Sequence, residues 1–188
     1  MNMEIDLPGF SGFYESVYSH IVDDFIESDI EDGILTDDDS VDYKTTYENI
    51  AKLYAEKFIE VNEDILNDAG VTLKYKKVFS PREYNYFTDT IVCDAQFDKD
   101  KFIEYVKKNI DHDKLKDYAH DKFTSRSGFI SFYSNNPKVW MEEYLYKIDE
   151  DNIVFQVFLH LLTFENDWAV EEEVLSNIYE CIKYECGE

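Results

Sequence analysis

Arginine is nearly missing from this 188-residue chain: Arg82 and Arg126 are the only two. Glycine (6), proline (3) and cysteine (3) are scarce as well. Each shortage excludes something. The scattered glycines form neither G-x-G-x-x-G nor G-x-x-x-x-G-K-[ST], so the commonest phosphate-cradling loops are missing. Cys93, Cys181 and Cys186 are odd in number and lack paired spacing, which gives no disulfide framework and no zinc motif. The longest apolar runs are short pieces such as IVFQVFLHLL, well below the length of a bilayer span. The opening MNMEIDLPGF has neither the basic flank nor the apolar run of a signal peptide. These absences lead us to expect a soluble, cytoplasmic protein. Bases are short overall, 18 Lys and Arg against 42 Asp and Glu, for a net charge of −24. Such a chain is repelled by nucleic acid and by anionic lipid, so neither is expected as a direct partner.

What is present argues for a folded domain. Apolar residues make up 44% and aromatics 16% of the chain, and Tyr and Phe bury large areas in cores and interfaces. The length predicts a single domain over 1–188. The charge is not spread evenly along it. Residues 1–43 hold thirteen acids and no Lys or Arg, and residues 149–188 hold eleven acids and only Lys183. The centre, 44–148, is balanced, with eighteen acids and seventeen bases. The densest stretch, DDFIESDIEDGILTDDDSVDY, carries ten acids: Asp23, Asp24, Glu27, Asp29, Glu31, Asp32, Asp37, Asp38, Asp39 and Asp42. Like charges this close oppose folding, and their segregation points to a surface with a purpose. Chain ends often lie near one another, which would merge the two acidic segments into one face.

The hydrophobic periods predict an α+β fold, mainly helical, with about five to six helices and a small antiparallel hairpin or sheet. Phe13, Val17, Ile21 and Phe25 recur every four residues and predict a helix over 11–30, ended near Gly33, with an acidic loop over 33–42. Tyr47, Ile50, Tyr54, Phe58, Val61 and Ile65 predict a helix over 43–69, closed by Gly70. VTLKYKKVF and TDTIVCDAQF alternate and predict a hairpin over 71–97, its strands separated by a loop around Pro81. A helix from about Asp98 follows, then a helical HDKLKDYAHDKF, a loop with an aromatic insert at Phe129–Tyr133, and a strand at VWMEEYLYKI. Two further helices are expected, one from about Glu150 and one over 168–184. The second would carry Glu171, Glu172 and Glu173 in its first turn, where negative charge is favourable.

Catalytic and metal chemistry is poorly represented. His112 and the pair His120-Asp121 would need a further His and a distant Asp to form a metal phosphohydrolase site. An EF-hand loop centred on Gly33 fails at Ser28 and Ile30 and ends on Asp39 rather than Glu. No nucleophile elbow is present. We therefore expect no cofactor, no metal site and no enzyme.

The segment SPREYNYFTDT sets Arg82 among Glu83, Tyr84, Tyr86 and Asp89. An Arg–carboxylate pair would order such a loop. Arg82, Tyr84 and Tyr86 are also the residue types enriched at interface hot spots. This segment and the opening PGFSGFYES resemble stretches of uncharacterised phage proteins. The bias towards Lys, Asp, Ile, Tyr and Phe fits an AT-rich coding sequence, as in low-GC bacteria and their phages. In size, acidity and charge density the chain is similar to the phage DNA-mimic inhibitors of the antirestriction and anti-CRISPR type. Twenty-four charges equal those of roughly 12 bp of duplex. The resemblance implies an inhibitor that blocks a basic nucleic-acid-binding protein or ribonucleoprotein of the host bacterium, a CRISPR effector or a restriction enzyme. Its contact residues would be the acids of 23–42, Glu171–Glu173 and the Arg82 loop, with carboxylates ~6–7 Å apart along a stripe. A homodimer would double that face. The alternative is an adaptor or inhibitor that does not imitate nucleic acid and binds through the Arg82 loop and aromatic surface.

Overall fold

A computed structural model describes residues 2–7, 9–13, 19–36, 39–79, 90–111 and 153–185. The fold is α+β and mainly helical, with a small antiparallel sheet. In chain order the elements are β1 (Asn2–Leu7), α1 (Phe10–Phe13), α2 (Ser19–Glu31), β2 (Ser40–Val41), α3 (Tyr43–Val61), α4 (Glu63–Asp68), β3 (Val71–Phe79), β4 (Thr90–Phe97), α5 (Lys99–Asn109), α6 (Ile153–Cys181) and β5 (Tyr184–Glu185). The sheet order is β1-β4-β3, and a separate two-stranded ladder joins β2 to β5. The hairpin β3–β4 follows the predicted strands. Strand β1 was not expected, although NMEIDL alternates polar and apolar and buries Ile5 and Leu7 on one side.

Three helical boundaries differ from the periodic reading, each for a local reason. The predicted 43–69 helix breaks at Asn62, which is buried and sends its side-chain amide to the Phe58 carbonyl at 2.8 Å. That bond competes with the backbone ladder and divides α3 from α4. The two helices expected after Glu150 are one continuous helix of 29 residues, because no Gly or Pro interrupts 153–181. Glu171 therefore lies roughly 27 Å from the helix start, too far for the positive end of the dipole to stabilise Glu171–Glu173. The C-terminal helix also stops at Cys181 rather than running to Tyr184. At the other end, the predicted 11–30 helix is helical over 10–13 and 19–31, and 14–18 lie outside the described residues. So do the HDKLKDYAHDKF helix, the aromatic insert and the VWMEEYLYKI strand.

The chain divides into two compact units. One comprises residues 1–3, 63–72 and 95–165. Its described core is aromatic: Phe102 meets Phe97 at 5.8 Å and Phe158 at 5.3 Å between ring centroids, both edge-on. Leu66, Ala69, Val71, Val106, Leu159 and Leu162 are buried in the same unit. Gly70, at φ +68°, turns α4 into β3 with its carbonyl accepting the Asp98 N–H at 2.9 Å. The other unit comprises 4–62, 73–94 and 166–188. Here the predicted α3 stripe is buried from Tyr47 through Ile50 and Tyr54 to Phe58. Phe10 packs on Tyr47 and Tyr54, and Phe13 on Tyr54, at 5.4–5.6 Å between centroids. Val170, Val174, Ile178 and Ile182 close this core from the C-terminal side.

Candidate acidic interface

The second unit brings the two acidic segments together. Ser40 pairs with Glu185 and Val41 with Tyr184 in an antiparallel register. The Asp42 N–H donates to the Lys183 carbonyl at 2.9 Å, and the Lys183 N–H donates to the buried Thr46 hydroxyl at 2.9 Å. Asn49 adds a side-chain bond to the Cys181 carbonyl at 3.1 Å. The C-terminal half of α6 thus lies along α3 on one side. On its other side Tyr179 meets Phe25 of α2 at 5.1 Å.

Asp29 is the hinge of this arrangement. It is only 5% exposed, and its carboxylate accepts hydroxyl bonds from Tyr184 at 2.6 Å and from Tyr179 at 3.2 and 3.3 Å. Burial, then the neighbouring Asp29 charge, pushes the Tyr179 hydroxyl above its ordinary pKa. For Tyr184, burial comes first and the Asp29 hydrogen bond second, in the same direction. Each tyrosine hydroxyl donates to Asp29. Asp29 was expected at the contact surface. It is instead an internal acceptor, since an unpaired carboxylate at this depth would be costly.

The other acids of α2 face solvent. Asp23, Asp24, Glu27, Glu31 and Asp32 are exposed, and among the described residues none of them pairs with Lys or Arg. Asp23, Glu27 and Glu31 recur at every fourth position and so follow one helix face, with a rise of about 6 Å per step. Asp29, Glu31 and Asp32 also crowd the C-terminal end of α2, where the helix dipole is negative and no base compensates. The end itself is a Schellman turn at Gly33 (φ +73°), with Ile34 N–H on the Asp29 carbonyl at 2.8 Å and Gly33 N–H on the Ile30 carbonyl at 3.1 Å. Helix stability does not explain the acids here.

The remaining predicted residues divide into structural and exposed ones. Asp39 accepts the Thr36 N–H and hydroxyl at 2.7 and 2.9 Å, which orders the loop before β2. Asp42 caps α3 by accepting the Thr45 N–H at 3.1 Å, and this bonding lowers its carboxyl pKa. Glu171 is half-buried, Glu172 is exposed, and Glu173 stands 3.7 Å from the Lys57 ammonium. Asp37, Asp38, Arg82, Tyr84 and Tyr86 lie outside the described residues. What the periodic reading missed is the exposed apolar trio beside Asp29, namely Ile30, Ile34 and Tyr179. Ile34 immediately after the helix-ending glycine was the available signal.

Nothing described here assembles an active site. No group of three His, Cys, Asp or Glu among the described residues is placed to hold a metal ion. The surface depression lined by Asp100, Ile103, Glu104, Lys107 and Lys108 is one face of α5 with mixed charge. No described helix is long and apolar enough to cross a membrane. Comparison with protein-family models, with curated proteins and with solved structures finds no match.

Proposed function

We propose that this chain is an acidic, nucleic-acid-mimicking inhibitor that occupies the cationic cleft of a host nucleic-acid-binding defence protein, a CRISPR effector or a restriction enzyme. It acts by binding and not by catalysis. The reading rests on the Asp23–Glu27–Glu31 row. Its residues are exposed, pair with no Lys or Arg among the described residues, and recur at a helical rise of about 6 Å, close to the spacing expected of phosphate mimicry. A basic partner that neutralises them releases the counterions held around these carboxylates, so binding weakens steeply with salt, as DNA binding does.

The test is retention of a bacterial nucleic-acid-binding protein at low salt, followed by competition. Short duplex DNA or guide RNA should displace the retained protein, and Asp23→Asn/Glu27→Gln/Glu31→Gln should prevent retention. Retention that ignores both competitor and salt would reject mimicry.

A further inference from the structure

Three apolar side chains stand exposed around Asp29. Ile30, next to it in sequence, is 39% exposed; Tyr179, bonded to its carboxylate, is 45% exposed. Ile34, whose N–H is held by the Asp29 carbonyl, is 64% exposed. Glu31, Asp32 and Glu180 interleave with them and are exposed too. Exposed apolar side chains set among acids that pair with no Lys or Arg among the described residues limit what can cover them. Nucleic acid and anionic lipid are repelled. A second copy would bring another −24 charge and the same acids against this face. A small cation would leave the apolar side chains in water. A protein surface that carries Lys or Arg with aromatic or aliphatic side chains between them satisfies both parts.

We infer that the Ile30–Ile34–Tyr179 patch docks a cationic protein surface with interleaved apolar side chains, of the kind that lines single-strand-binding clefts. In such clefts a basic groove follows the backbone while aromatic side chains stack on bases. The inference deepens the proposed function and rests on it. The α2 carboxylates take the place of phosphates, and the patch takes the place of unpaired bases.

Two fluorescein-labelled peptides with the same number of arginines test it. One alternates Arg with Trp, and the other alternates Arg with Gly. The Arg/Trp peptide should stay bound at about 0.5 M NaCl, where screening releases the Arg/Gly peptide. Ile34→Ser should weaken the Arg/Trp peptide roughly tenfold and leave Arg/Gly binding unchanged. Ile34→Leu should restore it. Trp168, 78% exposed on α6 about 16 Å along the helix from Tyr179, is the control. Trp168→Ser should alter neither peptide. Equal salt sensitivity of the two peptides, or an equal effect of Ile34→Ser and Trp168→Ser, overturns the inference. The acidic face is judged separately. Arg/Gly binding that survives the α2 triple neutralisation undoes the proposed function, whereas a fall in Arg/Gly binding with no Ile34 effect undoes only the patch.

Discussion

On the sheet, Glu4 and Asp94 share one ammonium, that of Lys76, which reaches Asp94 at 3.2 Å and bonds Glu4 as well. On α2, Asp23, Glu27 and Glu31 share none among the described residues. Both surfaces are exposed and both belong to the same compact unit. On the sheet these two acids are balanced by a base standing between them. The helix concentrates its charge, and even places acids at the wrong end of its own dipole. Where the fold needs a carboxylate, it uses it internally: Asp29 for two tyrosines, Asp42 for a cap, Asp39 for a turn. Among the described acids of α2, Asp23, Asp24, Glu27 and Glu31 pair with no Lys or Arg. That distinction separates charge that serves folding from charge available to a partner.

The comparison is broken most directly at Asp29. Asp29→Ala removes the acceptor of two tyrosine hydroxyls and should cost about 3 kcal/mol in urea unfolding, with Asp29→Asn costing less. An exposed neighbour such as Asp24→Ala should cost nothing measurable. If the two variants unfold alike, Asp29 is no different from the surface acids. The two helix-ending glycines give the next largest effect. A Cβ at Gly70 would stand 3.0–3.1 Å from Lys101 and Asp98, whereas one at Gly33 meets nothing within 4 Å. Both carry positive φ, so Gly33→Ala should cost about 1 kcal/mol and Gly70→Ala about 2 kcal/mol or more. Equal losses would mean that backbone strain alone matters at both.

The α2 acids should respond in the opposite direction. Asp23→Asn/Glu27→Gln/Glu31→Gln relieves repulsion along one helix face and should raise stability by about 1 kcal/mol at low salt, a gain lost in 1 M NaCl. A triple variant that is more stable yet fails to retain a partner would mark these side chains as functional. A less stable one would place them among the structural acids. The smallest effect concerns pH. The Thr45 bond lowers the Asp42 pKa in the folded state, so its contribution is full above the ordinary carboxylate value of about 3.9. It is lost as pH falls through the folded value. The stability difference between wild type and Asp42→Ala should therefore be constant near neutrality and close only under acid.

Helix α3, though not its end at Asn62, and the strands β3 and β4 were legible because their hydrophobic periods are long. The turn at Gly33 was legible because a left-handed position there asks for glycine. The joining of the acidic ends was expected only from the general tendency of chain ends to lie close, and its physical cause lies in the β2–β5 ladder and in the Tyr179 and Tyr184 bonds to Asp29. Asp29 could not be told from its neighbours in sequence, because its burial depends on tyrosines about 150 positions away. The continuous α6 was misread as two helices because its apolar face changes character near Trp168 while its backbone meets no breaker.

The separation between Asp29 and its tyrosine partners also has a temporal side. Tyr179 follows Asp29 by 150 positions. At the usual pace of translation, roughly 8–30 s pass between the making of one and of the other. Through that interval α2 has a carboxylate ready and no hydroxyl to receive, and its face cannot be completed however fast the helix itself forms. The contacts of Asp29 are therefore completed only once Tyr179 and Tyr184 have been made, well after α2 itself.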